Sequence, residues 1–136
     1  MRKIAVCIDK RGGVMFNHRR VSQDADVRNK LMELIGIHRL FMSTYSAKQF
    51  DPNPRIYISD TFLEEASDDD VCFIEDVDIS IDDISEIYLF HWNRDYPADT
   101  HFHFDPKECG FKRIKKEDFE GSTHPKITLE IYRRIN

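Results

Sequence analysis

Glycine is scarce in this sequence, and its distribution is uneven. Five glycines occur among the 136 residues, and none lies between Gly36 and Gly110. A backbone that approaches a phosphate closely, or that takes a positive φ in a tight turn, usually has glycine there. The middle of the chain therefore lacks a glycine-rich phosphate-binding turn, and no Walker loop or Gly-x-Ser-x-Gly nucleophile pattern occurs anywhere.

Cysteine and long hydrophobic runs are also sparse. The three cysteines are odd in number and scattered, without Cys-x-x-Cys spacing, which predicts free thiols in a reducing compartment. The apolar run 4–8 is too short for the core of a signal peptide, and no run approaches the ~18 residues of a membrane span. We therefore expect a cytoplasmic protein with no membrane partner.

The charge balance is acidic, with a formal net charge of −5 at pH 7. An acidic balance argues against nucleic acid as the main partner, although a local basic patch would still be compatible with it. The length and ordinary hydrophobic fraction predict a single domain over residues 1–136 with a real core.

The hydrophobic pattern predicts alternating strands and helices in the first half and a β-rich end. A helix runs from a cap at Ser22 or Asp24 to Gly36, with apolar residues at helical spacing. A second short helix, about 44–50, is capped by Ser43 or Thr44, and Asp60 caps a turn to Ala66. Strands are predicted at 3–9, 39–42, 55–59, 71–74, 86–91, 111–118 and 126–134. This order predicts an α/β fold in three layers, with a mostly parallel central sheet and an antiparallel C-terminal hairpin.

One local pattern suggests a metal site. His101, His103 and Asp105 form H-x-H-x-D, and on a strand both imidazoles would face one side. The run resembles the start of the H-x-H-x-D-H motif of metallo-β-lactamase-fold hydrolases such as ribonuclease Z, which implies zinc. Pro106 stands where the next histidine should be, which favours the alternative of a polar turn with the neighbouring phenylalanines packed inward.

Several stretches, taken in order, resemble dihydrofolate reductases. The opening run 4–15 resembles that family's first strand and the glycine-containing loop after it. Residues 40–46 resemble the strand-to-helix turn that binds a phosphate of the nicotinamide cofactor. Residues 87–91 with 99–102, and 129–134 at the end, resemble its late strands and the Asp-Thr-His-Phe turn. The resemblance covers most of the chain at low identity and implies a dihydrofolate-reductase-like fold.

The departures from that family bear on function. The resemblance implies a catalytic carboxylate early in the first helix, for which Asp24 and Asp26 are near the right place and Asp26 is preferred. The Pro-Trp that precedes it in the family is absent, and so is the Gly-Gly turn that meets the cofactor pyrophosphate. We therefore expect no cofactor, with NADPH disfavoured and zinc left as an alternative.

Two clusters are candidate binding residues. His18, Arg19 and Arg20 suit phosphate or an acidic partner surface, or form a solvated loop. Trp92, Arg94 and Tyr96 suit a protein interface, and a role covering the core is the alternative. The sequence so predicts a non-catalytic dihydrofolate-reductase-like module that binds a protein or a small ligand, as an immunity protein or antitoxin would. The alternatives are a metal-dependent hydrolase or ribonuclease using the histidine run, and a divergent NADPH-dependent reductase.

Overall fold

The computed structural model describes residues 1–135, so the predicted domain end at residue 136 lies outside them. In chain order the strands are β1 (Arg2–Ile8), β2 (Gly13–Phe16), β3 (Arg19–Arg20), β4 (Leu40–Met42), β5 (Ile56–Ile58), β6 (Val71–Phe73), β7 (Ile84–His91), β8 (Thr100–His101), β9 (Phe111–Phe119) and β10 (Ile127–Arg134). The helices are α1 (Ala25–Ile35), α2 (Thr44–Ala47) and α3 (Phe62–Glu65), with 3₁₀ turns at Ile81–Asp83 and Pro106–Cys109.

A seven-stranded sheet in the order β5-β4-β6-β1-β7-β10-β9 forms the centre of the molecule. Strands β5, β4, β6, β1 and β7 pair in parallel, whereas β10 runs antiparallel to both β7 and β9. The predicted α/β class, the mostly parallel sheet and the antiparallel C-terminal hairpin are confirmed. β1 lies in the middle of the sheet, which explains why its sequence is a continuous apolar run rather than an alternating one.

Each face of this sheet carries its own hydrophobic cluster. On one face α1 packs Val27, Leu31 and Ile35 against strand residues such as Phe90 and Leu129. On the other face α3 contributes Phe62, and β2 and the connection before β7 complete the cover. These two covers and the sheet between them are the three predicted layers.

The boundaries of α1 follow from its capping residues. Asp24 is the N-cap, and its side chain accepts a hydrogen bond from the Asp26 amide. Gly36 ends the helix with φ of 56°, and its amide bonds the Glu33 carbonyl. The left-handed φ is inexpensive only for glycine, which is why the helix ends there.

The short helices differ from prediction in two respects. Ser43, one of the two predicted caps, caps α2, but the helix ends at Ala47 rather than near residue 50. The chain continues in hydrogen-bonded turns, in which the Phe50 amide bonds the Ala47 carbonyl. The prediction that Asp60 caps the next turn is wrong. α3 begins after Thr61 without a side-chain cap, and Asp60 Oδ1 instead accepts a hydrogen bond from the Thr44 amide at 3.0 Å.

A second, three-stranded sheet in the order β3-β2-β8 was not predicted from the sequence. β2 and β3 form a hairpin whose turn residues, Asn17 and His18, have φ of 49° and 62°. Positive φ at both central residues matches the twist of a two-residue hairpin. β8 joins through pairing of Gly13 with His101, so this small sheet fixes where the histidine run lies.

Among residues 1–135, no helix combines the length and the apolar character that a membrane crossing requires.

Candidate functional site

Asp24 lies at the centre of a buried polar network beside the start of α1. Its Oδ1 accepts hydrogen bonds from the amides of Asp26 at 2.9 Å and Ser122 at 3.0 Å. Its Oδ2 accepts from the Thr123 amide at 2.8 Å and lies 3.0 Å from His124 Nδ1. Gly121 permits this approach, because a Cβ there would stand 2.5 Å from Asp24 Oδ2.

These contacts control the ionisation of Asp24. Burial alone would raise the pKa of its carboxyl, but hydrogen bonds from Thr123, His124, Ser122 and Asp26 lower the pKa well below its usual range. The group is therefore a carboxylate at neutral pH, with its oxygens directed at the chain. A carboxylate committed in this way is neither a proton donor nor a free ligand.

His124 continues the network towards the loop after β7. Its Nε2 lies 2.9 Å from Ser22 Oγ and 3.0 Å from the Tyr96 hydroxyl. The ring stacks on Trp92 with centroids 4.6 Å apart, and both rings are buried.

The order Ser22, His124, Asp24 has the hydrogen-bond pattern of a serine nucleophile with its base and orienting carboxylate. The neighbouring cavity, lined by Ser22 and Asp24 among others, has a volume of about 10 Å³. That volume holds about one water molecule, so an acyl substrate has no room there. Tyr96 also competes with Ser22 for the same histidine nitrogen. The network acts as a structural link between α1, the loop after β7 and the start of β10.

Glu75 also lines this cavity, and it forms a buried ion pair with Arg20. Arg20 Nε lies 3.0 Å from Glu75 Oε2, and Arg20 Nη2 lies 3.2 Å from Oε1. The side chains are only 15% and 7% exposed. The guanidinium also lies over the Tyr45 ring, 4.4 Å from its centroid, and Ser46 Oγ and Gln49 Nε2 donate to Glu75. The Arg20 guanidinium therefore binds residues of this chain and is largely buried, so it is not exposed for a partner to contact.

Carboxylates also occupy the turn from β4 into α2. Ser43 Oγ donates to Asp76 Oδ1 at 2.8 Å, and the Thr44 amide donates to Asp60 Oδ1 at 3.0 Å. These are hydroxyl and amide donors of the kind that bind phosphate oxygens. At this turn they already bind side-chain carboxylates of the same chain.

The other predicted binding residues do not form one surface. His18 and Arg19 are exposed on the β2–β3 hairpin, and Arg94 is exposed in the loop after β7. Trp92 is buried and Tyr96 is half-buried against His124. Of the two roles left open for the aromatic pair, covering the core is the one Trp92 takes.

Asp26, the preferred catalytic carboxylate, lies in the first turn of α1 and accepts a hydrogen bond from Ser122 Oγ at 2.7 Å. The side chain that lines the cavity is instead that of Asp24. The sequence places the two carboxylates two residues apart, and the helix directs only the first of them inward.

The histidine run is divided between two elements. His101 belongs to β8, and its ring centroid lies 5.8 Å from that of His103. Asp105 caps the following 3₁₀ turn by accepting a hydrogen bond from the Lys107 amide. Within residues 1–135, no group of three or more His, Cys, Asp or Glu side chains is positioned to hold a metal ion. The zinc hypothesis gains no support.

The sequence analysis missed Glu75. It follows the apolar strand run directly, at the place where the family resemblance requires the Gly-Gly turn. A carboxylate at a position expected to hold glycine is the signal that would have identified it. No comparable pattern marks His124.

We expect the folded protein to lose stability in acid, and Asp70 provides a clean measure. Burial raises the pKa of its carboxyl, but hydrogen bonds from Arg39 and Ser67 bring the pKa down to about 2. Because this pKa is lower in the folded state than the unfolded value of about 3.9, the carboxylate stabilises the fold at pH values above about 3.9. This stabilisation is lost as the pH falls through both pKa values. The free energy of unfolding in urea should therefore change little from pH 7 to 5 and fall below about pH 4. The contribution of Asp70 to the free energy of unfolding is on the order of 1–2 kcal/mol, which allows for solvent screening at the half-exposed Arg39.

The control for this effect is the neighbouring Asp69, which is exposed. Asp70→Asn should flatten the acid limb of the stability profile, whereas Asp69→Asn should leave it unchanged. Equal slopes in the wild type and in Asp70→Asn would contradict the assignment.

Comparison with solved structures identifies the fold. The chain superposes on a dihydrofolate reductase from Enterococcus faecalis, solved as a complex with NADP(H) and RAB-propyl, with a TM-score of 0.70. The match covers 100% of this chain and 97% of that chain at 11% sequence identity. No family model matches the sequence, and no curated protein matches it significantly. The chain thus has a dihydrofolate-reductase-like fold, as its sequence resemblance predicted, and identity this low carries the fold alone.

Proposed function

We propose that this chain is a non-catalytic dihydrofolate-reductase-like module that binds a protein partner. The observation that carries the proposal is the closed cavity beside α1. It has a volume of about 10 Å³, and of the two carboxylates that line it, Asp24 is bound by the chain's own amides and His124, and Glu75 is bound by Arg20. A reductase on this fold would need an open pocket of several hundred Å³ there to hold a substrate.

The carboxylates around α2 support the same proposal. Asp76 and Asp60 occupy the donors of the β4–α2 turn, and Glu75 lies directly before Asp76. A dinucleotide brings its own negative phosphates, which these carboxylates would repel. The residues at this turn do not fit NADPH.

The overall charge favours a particular kind of partner. A compact acidic chain of this size, with no room for a substrate in the cavity beside α1, suits neutralisation of a basic protein, which is how an immunity protein or antitoxin acts. The prediction also allowed a small ligand in place of a protein partner. A small ligand would need a larger cavity than the one beside α1.

The experiment is titration of the purified protein with NADPH, followed by a dihydrofolate reduction assay. We expect no saturable binding tighter than a Kd of about 1 mM and no oxidation of NADPH above the protein-free rate. An active dihydrofolate reductase assayed in parallel is the control. NADPH oxidation that is lost in Asp26→Asn would overturn the proposal in favour of a reductase, and one zinc per chain that is lost in His101→Ala/His103→Ala would favour a hydrolase.

A further inference from the structure

We propose that an apolar groove with an acidic rim, which is separate from the closed cavity beside α1 but shares Glu75 with it, binds an arginine- and lysine-rich segment of a basic partner protein. The inference rests on the proposed function and assigns its binding surface. The groove lies between the connection that follows β6 and the segment around β8. We call it the connection groove.

The connection groove consists of two adjoining cavities of about 390 and 200 Å³. They share Val77, Asp78 and Thr100, so they form one continuous depression. This space is many times larger than the closed cavity beside α1. Its apolar lining comes from Val6, Val14, Ile74, Val77, Ile79 and Phe102.

Part of that lining remains open to solvent. Val77, Ile79 and Phe102 are only half-buried, although they pack against the core cluster of this face. Phe104 lines the same cavity and meets Phe102 edge to face, with ring centroids 5.4 Å apart. An apolar strip of this kind gives a ligand hydrophobic contact area.

The rim of the connection groove is negative. Asp76, Asp78 and Asp99 line the larger cavity, and all three are exposed. No lysine or arginine lines either cavity. The neighbouring arginine, Arg20, is already paired with Glu75 at 3.0 Å.

The stretch of sequence that contains the connection after β6 is also acidic and lacks basic residues. Between Ile56 and Asn93 the chain has no lysine or arginine, while twelve of its 25 Asp and Glu residues lie there. Low-dielectric walls lined by one sign of charge concentrate the field and attract the opposite charge. The groove is therefore complementary to cations.

Arginine and lysine side chains match both features at once. Their aliphatic stems pack on apolar surface while their charged heads reach carboxylates. A second copy of this chain is a weaker occupant, because two copies of net charge −5 repel each other. A segment of a basic protein has the complementary charge.

The probe is a short fluorescein-labelled peptide in which arginine and leucine alternate, measured by anisotropy against the full chain. We expect saturable binding that weakens at least about tenfold in Asp76→Asn/Asp78→Asn. The matched control, Asp51→Asn/Asp69→Asn, removes two exposed charges outside the connection groove and should change affinity less than about twofold. Asp78→Asn alone serves as a second variant, because Asp76 also accepts the Ser43 hydrogen bond.

Two further peptides test the two features separately. Replacing leucine by serine in the probe should weaken binding, and replacing arginine by glutamate should abolish it. Equal loss of affinity in both double variants, or no saturable binding, would overturn the proposal. Dimerisation of the wild type that is lost in Asp76→Asn/Asp78→Asn would also overturn it and assign the groove to a second copy.

The outcomes separate this inference from the proposed function. If the peptide fails to bind and NADPH also fails to bind, the connection groove is wrong as the interface while the non-catalytic role stands. If NADPH binds and is oxidised with dihydrofolate, the proposed function fails whatever the peptide does.

Discussion

Replacing Asp24 with alanine should lower the free energy of unfolding by at least about 3 kcal/mol. The substitution leaves three backbone amides and His124 Nδ1 without their acceptor in the interior, and each buried unsatisfied donor costs about 1–3 kcal/mol. It also removes the N-cap of α1, which alone is worth about 1 kcal/mol. Urea unfolding followed by circular dichroism measures the loss.

Asp26→Ala is the matched control for that measurement. Asp26 is the next carboxylate along the helix, is not buried, and accepts one side-chain hydrogen bond, from Ser122 Oγ. Its removal should cost less than about 1 kcal/mol. A loss equal to or greater than that of Asp24→Ala would show that the roles of the two carboxylates have been assigned wrongly.

Breaking the Arg20–Glu75 pair should have an effect of similar size. Arg20→Met removes the cation and leaves Glu75, 7% exposed, as an unpaired carboxylate. Removing one partner of a buried ion pair typically costs about 3–5 kcal/mol, and we expect a value near the lower end because Ser46 and Gln49 still donate to Glu75. Chemical denaturation of the single variant measures this cost.

A double-mutant cycle tests whether the cost comes from the pair. Arg20→Met/Glu75→Gln removes both charges and retains a side-chain acceptor for the Ser46 hydroxyl, so it should recover at least about 1 kcal/mol relative to the sum of the single changes. The exposed pair between Arg11 and Asp95 is the control, and Arg11→Met should change stability by less than about 0.5 kcal/mol. Strict additivity in the Arg20 cycle would contradict a direct coupling.

Both predictions concern the two carboxylates that line the cavity beside α1, Asp24 directly and Glu75 through its pairing with Arg20. If both effects are found, the interactions that close the cavity are also part of what stabilises the fold. Opening a pocket there by a single substitution would then cost a large share of the 5–15 kcal/mol that usually holds a domain together. In the connection groove, Asp78 and Asp99 are exposed and lie outside this buried network, whereas Asp76 is linked to it through Ser43.

Secondary structure was predictable where the signal is local. The N-cap of α1 was predicted at Ser22 or Asp24 and that of α2 at Ser43 or Thr44, and one of each pair is the cap; the end of α1 at Gly36 was also predicted, because a cap depends on residues within one turn. The strand runs from β1 to β10 were found within one or two residues, except for the small sheet. β2, β3 and β8 were missed because they are two to four residues long and one of their pairings joins Gly13 to His101.

The candidate site was predicted less well. Trp92 and Tyr96 were singled out as an aromatic pair, yet their role depends on His124, which lies 28 residues from Tyr96 in the chain. Arg20 belonged to a predicted basic cluster, but its partner Glu75 is 55 residues away. In each case the sequence showed the residues of the cluster, but it did not show the distant residue, His124 or Glu75, that binds them.

The sequence by itself determined the order along the chain of the helices and of the strands of the seven-stranded sheet, and the absence of a glycine-rich turn between Gly36 and Gly110, because these depend on neighbouring residues and on period. Only the tertiary structure decided that Asp24 binds His124, 100 residues away. That contact exists because the sheet brings the start of β10 beside the start of α1. The same packing buries the carboxylate of Asp24 and leaves that of Asp26, two residues later, partly exposed.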